Sequence, residues 1–278
     1  MPPWPTPYKA AIPFTMDNLG EAQEVNRGVW PHPHGTHPSI TTSLPRILGI
    51  LDKYALKATY FVEAWSLDVY PAVVHGQLLG RGHEVAWHGY QHENFGGLSA
   101  EQEEENFRRS FEAAGREGVV YRGFRPPGGK VNEGTSWRLM RGYGVGYVSP
   151  LGELGIGREG VVVLPFEWRA VDAFYYMDTD KFREIRGELL GRDKSDEVMG
   201  PEELRTYLMG RIEEVKRTGG FLSVLFHPFL QTSEERFAVF EDVVRRIAED
   251  PEIWSVPCRE VAEWVAEHGE SFAGDASV

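Results

Sequence analysis

The sequence predicts an α/β fold whose parallel strands close into a barrel. Three observations predict it. Short apolar runs alternate with helical patterns seven or eight times along the chain. No linker interrupts the alternation. Asp17, His88, Arg125 and His227 each follow a different apolar run, and the carboxyl ends of strands are where such barrels gather their chemistry.

Prolines 2, 3, 5 and 7 give an extended lead-in. Ala10 to Met16 reads as the first buried strand, bounded by the polar Asp17-Asn18-Leu19-Gly20. Residues 18–42 form a long loop with His32, His34 and His37 interleaved with prolines, a spacing too open for a compact ligand set. A plain surface loop is the simpler reading of that stretch, beside a lid or a subunit contact, which leaves a homo-oligomer open. Leu44, Ile47, Leu48 and Leu51 repeat with helical spacing behind a Ser43 cap. Lys57–Val62 is the second strand, a helix through Val73, Leu78 and Leu79 follows, and Glu84–Trp87 is the third strand. Ser99 and Gln102 make a capping box for a helix that buries Phe107, Phe111 and Ala114. Tyr121–Arg125 is the fourth strand. A helix around Trp137–Met140 and strands near 145–148 and 161–165 come next. The aromatic-rich stretch 166–200 reads as irregular. Pro201 opens and Gly219 closes a helix whose Leu204, Leu208, Ile212 and Val215 share a face. Phe221–Phe226 is an apolar strand running into His227, and Thr232 and Glu235 box the next helix. A strand at Ile253–Val256, a helix at Arg259–His268 and a frayed tail from Gly274 complete the chain.

The chain has 278 residues, 41% of them hydrophobic, enough for a large core. The formal net charge of −13 argues against a nucleic-acid partner. A single cysteine, Cys258, excludes an internal disulfide and fits a reducing compartment. No secretory signal is visible at the N-terminus and no apolar run is long enough to cross a bilayer, so the expected location is cytoplasmic with no membrane partner.

The segment His83–His92 carries the strongest chemical signal. His88 and His92 leave the third strand four positions apart, with Gly89 between them. Two neutral imidazoles and one carboxylate make a three-ligand metal site with an open position. A core histidine beside a surface histidine is the plainer alternative for the pair alone. His227 has a structural alternative too, as does Asp172, which could be an ordinary loop carboxylate. Arg125 could be a salt-bridged structural residue. Trp30, Trp87, Trp168, Phe174, Tyr175 and Tyr176 could stack a ring or fill the core.

Taken in order, the motifs resemble those of the polysaccharide deacetylase superfamily, carbohydrate esterase family 4. Thr15-Met16-Asp17-Asn18 stands for the family's Thr-Phe-Asp-Asp, and His88-Gly89-Tyr90-Gln91-His92 for its His-Ser/Thr-x-x-His. Arg125-Pro126-Pro127-Gly128-Gly129 matches Arg-x-Pro-x-Gly, and Leu225-Phe226-His227 matches Leu-x-His. Asp172 is the best candidate for a blurred fourth motif. The His-Gly-Tyr-x-His-Glu-Asn run is similar to an intracellular branch with peptidoglycan-deacetylase-like and allantoinase-like members. The resemblance spans about residues 8–268 and implies a single domain, a distorted (β/α)7 barrel.

It also implies a hydrolase of C–N amide bonds acting on an N-acetylated sugar or a small amide or imide. Asp17, His88 and His92 would hold a divalent cation, expected to be zinc, with cobalt or manganese as alternatives. His227, oriented by Asp172, would protonate the leaving nitrogen, while Arg125 would orient the base. The oxyanion would rest on backbone at Gly128, beside Pro127. The first motif departs from the family, because Asn18 replaces one of two carboxylates. Asp17 is then either base with Asn18 as a weak ligand, or ligand with Thr15 or Met16 where the base should be. The second register is favoured, since a charged oxygen binds such cations better than an amide does. Glu21 is then the candidate base, with Glu84 and Glu93 as supporting residues. The altered motif also admits a catalytically degenerate barrel that only binds metal or ligand.

Overall fold

A computed structural model describes residues 3–192, 196 and 199–272. The frayed tail expected from Gly274 lies outside the described residues. Among the described residues ten strands form: β1 (Ala10–Ala11), β2 (Phe14–Asp17), β3 (Ala58–Val62), β4 (Glu84–Trp87), β5 (Gly123–Phe124), β6 (Tyr147–Val148), β7 (Gly155–Ile156), β8 (Val162–Val163), β9 (Val224–Phe226) and β10 (Ile253–Trp254). Eight make one curled sheet in the order β7-β8-β6-β5-β4-β3-β2-β9. All its pairings are parallel except β7 with β8. The α/β barrel class holds, but the closed sheet expected from the alternation is corrected to an open one with β7 and β9 at its edges.

The helices that matter to the site are α1 (Ala22–Asn26), α2 (Leu44–Lys53), α3 (Ala64–Val69), α4 (Ala100–Glu117), α5 (Ser136–Gly142), α6 (Asp172–Tyr176) and α7 (Asp180–Leu190). Helices α8 (Pro201–Thr218), α9 (Glu234–Ala248) and α10 (Cys258–Glu267) complete the layer around the sheet. Among the described residues no helix is long and apolar enough to cross a membrane.

Local chemistry explains where these elements begin and bend. Pro13 has no N–H to give a ladder, so the strand expected over 10–16 divides. Its first part pairs with β10 in a separate two-stranded sheet, while its second part enters the main one. The Ser99–Gln102 capping box forms as expected. Two other caps differ. Ser43 donates its hydroxyl to the Gln231 carbonyl rather than capping α2, and Ser233 rather than Thr232 caps α9. The stretch read as irregular holds α6 and α7, the latter capped by Thr179. The loop after β2 is also more structured than expected, with α1 and a π-type turn at Ser39–Ser43.

The core is apolar and continuous from helix layer to sheet. Trp87 is fully buried and stacks on Phe124 at 4.2 Å, with the Phe107 ring edge-on at 4.4 Å. Burying side chains of this kind contributes roughly 1.5–3 kcal/mol each. Of the candidate ring-stacking residues, Trp87, Phe174 and Tyr175 are therefore core. The parallel register then sets the site. Val62 pairs with Trp87, Trp87 with Phe124, and Met16 with Phe226, so the carboxyl ends of β2, β3, β4, β5 and β9 share one rim.

Candidate active site

Strand periodicity decides what β2 offers the cleft. Alternate residues face opposite sides, so Thr15 and Asp17 point together into the barrel while Met16 joins the core. Both meet Arg125, a buried side chain at the end of β5. Its Nη1 donates to Thr15 Oγ1 at 2.9 Å and to Asp17 Oδ1 at 2.7 Å. The remaining guanidinium donors reach the hydroxyls of Ser149 and Ser223 at 2.9–3.2 Å. The cation also lies over the Phe61 ring at 4.1 Å. Sequence reading missed Thr15, Ser149 and Ser223 as members of this network, although the two-residue spacing of Thr15 and Asp17 was a usable signal.

Asn18, the motif's last residue, lines the cleft while its amide nitrogen is engaged by Glu63. Asn18 sits at φ 64° and donates its amide to Glu63 Oε1 at 2.6 Å, while Leu19 N–H donates to Glu63 Oε2 at 2.9 Å. Burial, helped by the charge of Asp17, pushes the Glu63 carboxyl up to about 8 against those two hydrogen bonds. The folded state thus holds this proton more tightly than the unfolded chain does. The stability Glu63 contributes is full below about 4.5 and is lost as pH rises to about 8. In metal-free protein, Glu63→Gln is expected to flatten the slope of unfolding free energy against pH in that window. Urea titrations giving parallel slopes for both proteins would refute this.

His88 directly follows β4, and its Nδ1 lies 2.7 Å from the carbonyl oxygen of Arg125. A carbonyl only accepts, so the Nδ1 proton is fixed there and Nε2 carries a lone pair. That lone pair faces Asp17 Oδ2 at 3.7 Å. Burial lowers the His88 pKa to about 4, so the ring is neutral at neutral pH. Two acceptors thus face one another across a gap that two ligands of one cation, each about 2 Å from it, can span.

His92 completes the group, its ring centroid 4.9 Å from that of His88. Burial, then the neighbouring His88, His227 and Lys181, lower its pKa. The Gln23 amide lies 2.8 Å from its Nδ1, leaving Nε2 for the cleft. The turn that delivers it needs Gly89 at φ 81°, where a Cβ would stand 3.0 Å from Glu93 Oε2. Glu93 braces that turn by accepting the Tyr90 and Gln91 N–H groups. Among the described residues no three His, Cys, Asp or Glu side chains form a preassembled cage. The donor set of Asp17, His88 and His92 nonetheless fits a divalent cation, because its two imidazoles are neutral and its carboxylate is unprotected on the cleft side.

A second constellation faces the first. An isolated bridge between Val171 and Leu225 lays the start of α6 beside β9. Asp172 Oδ1 is 2.6 Å from His227 Nδ1, and its Oδ2 accepts from the His227 N–H at 2.8 Å and from Gln231 Nε2 at 2.7 Å. Burial alone would lower the His227 pKa, but the charge and hydrogen bond of Asp172, with Asp17 behind them, raise it.

Asp17, Asn18, His88, His92, Arg125 and His227 line one cleft of about 280 Å³ with Gln23, Arg27, Gly128, Phe166, Trp168, Lys181 and Phe182. Two expected members lie elsewhere. Pro126 lines the cleft in place of Pro127, whose ring lies under Gly89. Glu21, the candidate base, is fully buried outside the cleft lining. Its oxygens are held by the Gly35 N–H at 2.7 Å and the Tyr70 hydroxyl, so it pins the loop after β2 and has no route to a substrate water. Glu84 is also structural, accepting from Thr59, Tyr147 and the Arg259 N–H. Asp17 is consequently the one carboxylate among the described residues that line the cleft.

Comparison with known proteins agrees with this geometry. Residues 34–148 match the family model for polysaccharide deacetylase. That match spans less than half of the chain, and the likeness of the whole chain to solved structures is one of fold. A stretch of 69 residues is 38% identical to the peptidoglycan deacetylase of Helicobacter pylori, spanning 25% of this chain and 23% of that protein. The fold superposes on a Mycobacterium smegmatis protein classed as a polysaccharide deacetylase with a TM-score of 0.77 at 24% identity, covering 99% of this chain and 95% of that one. It also superposes on PuuE allantoinase with a TM-score of 0.70 at 16% identity, covering 96% and 93%. The position that shares Arg125 with Asp17 is a hydroxyl, Thr15, and carries no charge.

Proposed function

We propose that this protein is a metal-dependent hydrolase of C–N amide bonds, acting on an N-acetylated sugar or a small amide or imide. The observation that carries the reading is the His88 lone pair facing Asp17 at 3.7 Å, with His92 alongside and a carboxylate-backed His227 in the same cleft. Asp17, His88 and His92 would hold the divalent cation, zinc first and cobalt or manganese as alternatives. Bound there, such a cation polarises the amide carbonyl and acidifies a water.

The chain's own groups do the rest. Arg125 holds Asp17 in one orientation while Thr15, Ser149 and Ser223 satisfy the other guanidinium donors. Backbone at Gly128 lines the side where negative charge develops. With Glu21 unavailable and Thr15 uncharged, His227 is the group left to move protons at both steps. Neutral at Nε2, it takes a proton from the attacking water; protonated, it returns that proton to the departing nitrogen. Asp172 fixes the Nδ1 tautomer and favours the charged form in between.

Thr15 favours a second reading, a degenerate barrel that keeps the pocket and lacks turnover. Stripped protein reloaded separately with zinc, cobalt or manganese separates the two. The hydrolase reading expects acetate or ammonia release from an N-acetylated sugar or a small amide, dependent on the ion. Stoichiometric metal with no turnover on either substrate class would leave only the binding reading.

A further inference from the structure

We propose that the substrate carries a carboxylate close to its scissile amide, and that Lys181 is the specificity residue that reads it; this rests on the amide-hydrolase reading above. Lys181 stands in the first turn of α7 and lines the cleft beside Thr179 and Phe182. Its Nζ lies 3.7 Å from the point where a Cβ on Gly128 would sit, and 5.4 Å from the centroid of Trp168. The residue as a whole is exposed, and its partial burial against the cleft lowers its pKa. Its charge also reaches His92, helping to keep that imidazole neutral. The group is therefore at the reacting end of the cleft.

What it lacks is a counter-charge. Among the described residues no carboxylate lies within 4.0 Å of Lys181, and none of its neighbours in the cleft is acidic except Asp17, which Arg125 already engages. Glu184 and Glu188 line the adjoining groove and form no ion pair with it. The other cations of the cleft are committed or peripheral. Arg125 is buried against Asp17 and three hydroxyls, and Arg27 is exposed, with its charge felt by Glu24. A cation uncommitted to any carboxylate at the cleft is available for a charge-assisted hydrogen bond to an anionic ligand.

The size of the charge follows from the count. One uncommitted lysine in a cleft whose lining also holds the Asp17 carboxylate suits a single negative charge. The position follows from the cavity. In about 280 Å³, an acyl group near His88, His92 and Gly128 leaves room for only a few bonds before Lys181 is reached. The aromatic walls of Phe166, Trp168 and Phe182 shelter the pair from water, which strengthens it. The chain as a whole is acidic, at −13, so attraction of an anion has to be local to this lysine.

The test uses zinc-loaded protein and two probes differing by one charge, N-acetylglycine and N-acetylglycinamide, with calorimetric binding and turnover followed in parallel. Wild type is expected to bind the acid about tenfold more tightly than the amide, the scale of one partly sheltered charge pair. Lys181→Met is expected to erase the preference, and Lys181→Arg to keep it. In turnover, Lys181→Met should raise KM for the acid about tenfold more than for the amide, and Lys181→Arg should restore the difference. Equal affinities in wild type, a preference that survives in Lys181→Met, or no binding of either probe would each overturn the proposal. An equal kcat loss on both probes would also do so, since it would make Lys181 an oxyanion group. Charge preference without hydrolysis would leave the carboxylate subsite standing and defeat the hydrolase reading; hydrolysis without charge preference would do the reverse.

Discussion

Asp172→Asn is expected to lower kcat by about 10²–10⁴, the range that a positioned acid–base group supplies. The carboxylate touches His227 twice, at the ring and at the backbone N–H, and accepts a third bond from Gln231. An amide of the same shape can keep the backbone contact, yet it removes the charge that raises the His227 pKa and can present an N–H to the ring. The sign of the pH effect separates two mechanisms. If His227 is first a base, the free enzyme must hold it neutral, and kcat/KM rises with pH through its pKa. Removing Asp172 lowers that pKa, so the acid limb moves to lower pH while the plateau falls. If another group is the base and His227 only an acid, the alkaline limb moves down instead. The measurement is the pH profile of zinc-loaded wild type and variant, with near-UV circular dichroism confirming the fold. A plateau within threefold of wild type, or an unmoved acid limb, would remove His227 from the proton path proposed for it.

Much of this site was legible because a parallel sheet converts sequence order into spatial order. Asp17, His88, Arg125 and His227 end four apolar runs, and the register brings those ends to one rim. What failed was anything needing a third dimension. Glu21 is four residues from Asp17 in sequence, but the chain turns at Asn18 and Gly20, both at positive φ, and carries the carboxyl to Tyr70 and Gly35. Ser149, just after β6, and Ser223, just before β9, serve Arg125 from far apart in the chain and with no spacing to announce them. The stretch 166–200 reads as irregular because α6 is only five residues long and its apolar residues face two neighbours at once. Thr179, by contrast, was a readable cap for α7, and finding it would have placed Lys181 on a helix start. Pro13 similarly announced the break that sends Ala10–Ala11 to a separate sheet.

Arg125→Met is the substitution expected to cost the most stability, about 3–5 kcal/mol, because it strands a buried charge. The guanidinium is 1% exposed and Asp17 5%, so neither can turn to water when the other is lost. Thr15, Ser149 and Ser223 would lose their donor as well, although hydroxyls can rotate toward one another. For a chain of this length that free energy corresponds to a fall in Tm of roughly 10 °C. Methionine fills similar volume and keeps contact with the Phe61 ring, so the change isolates charge from packing. Two further comparisons make the origin explicit. Adding Asp17→Asn to Arg125→Met should recover part of the loss, since removing both charges leaves none unpaired. Zinc should stabilise Arg125→Met more than it stabilises wild type, because a cation at Asp17 and His88 replaces the charge that arginine supplied. The double variant should gain little from zinc, having lost the carboxylate that faces the His88 lone pair. Denaturant titrations with and without zinc measure all six free energies. A loss under 1 kcal/mol would show that the Asp17 charge is not confined as the hydrogen bonds indicate, and equal zinc stabilisation across the three proteins would remove Asp17 from the metal site.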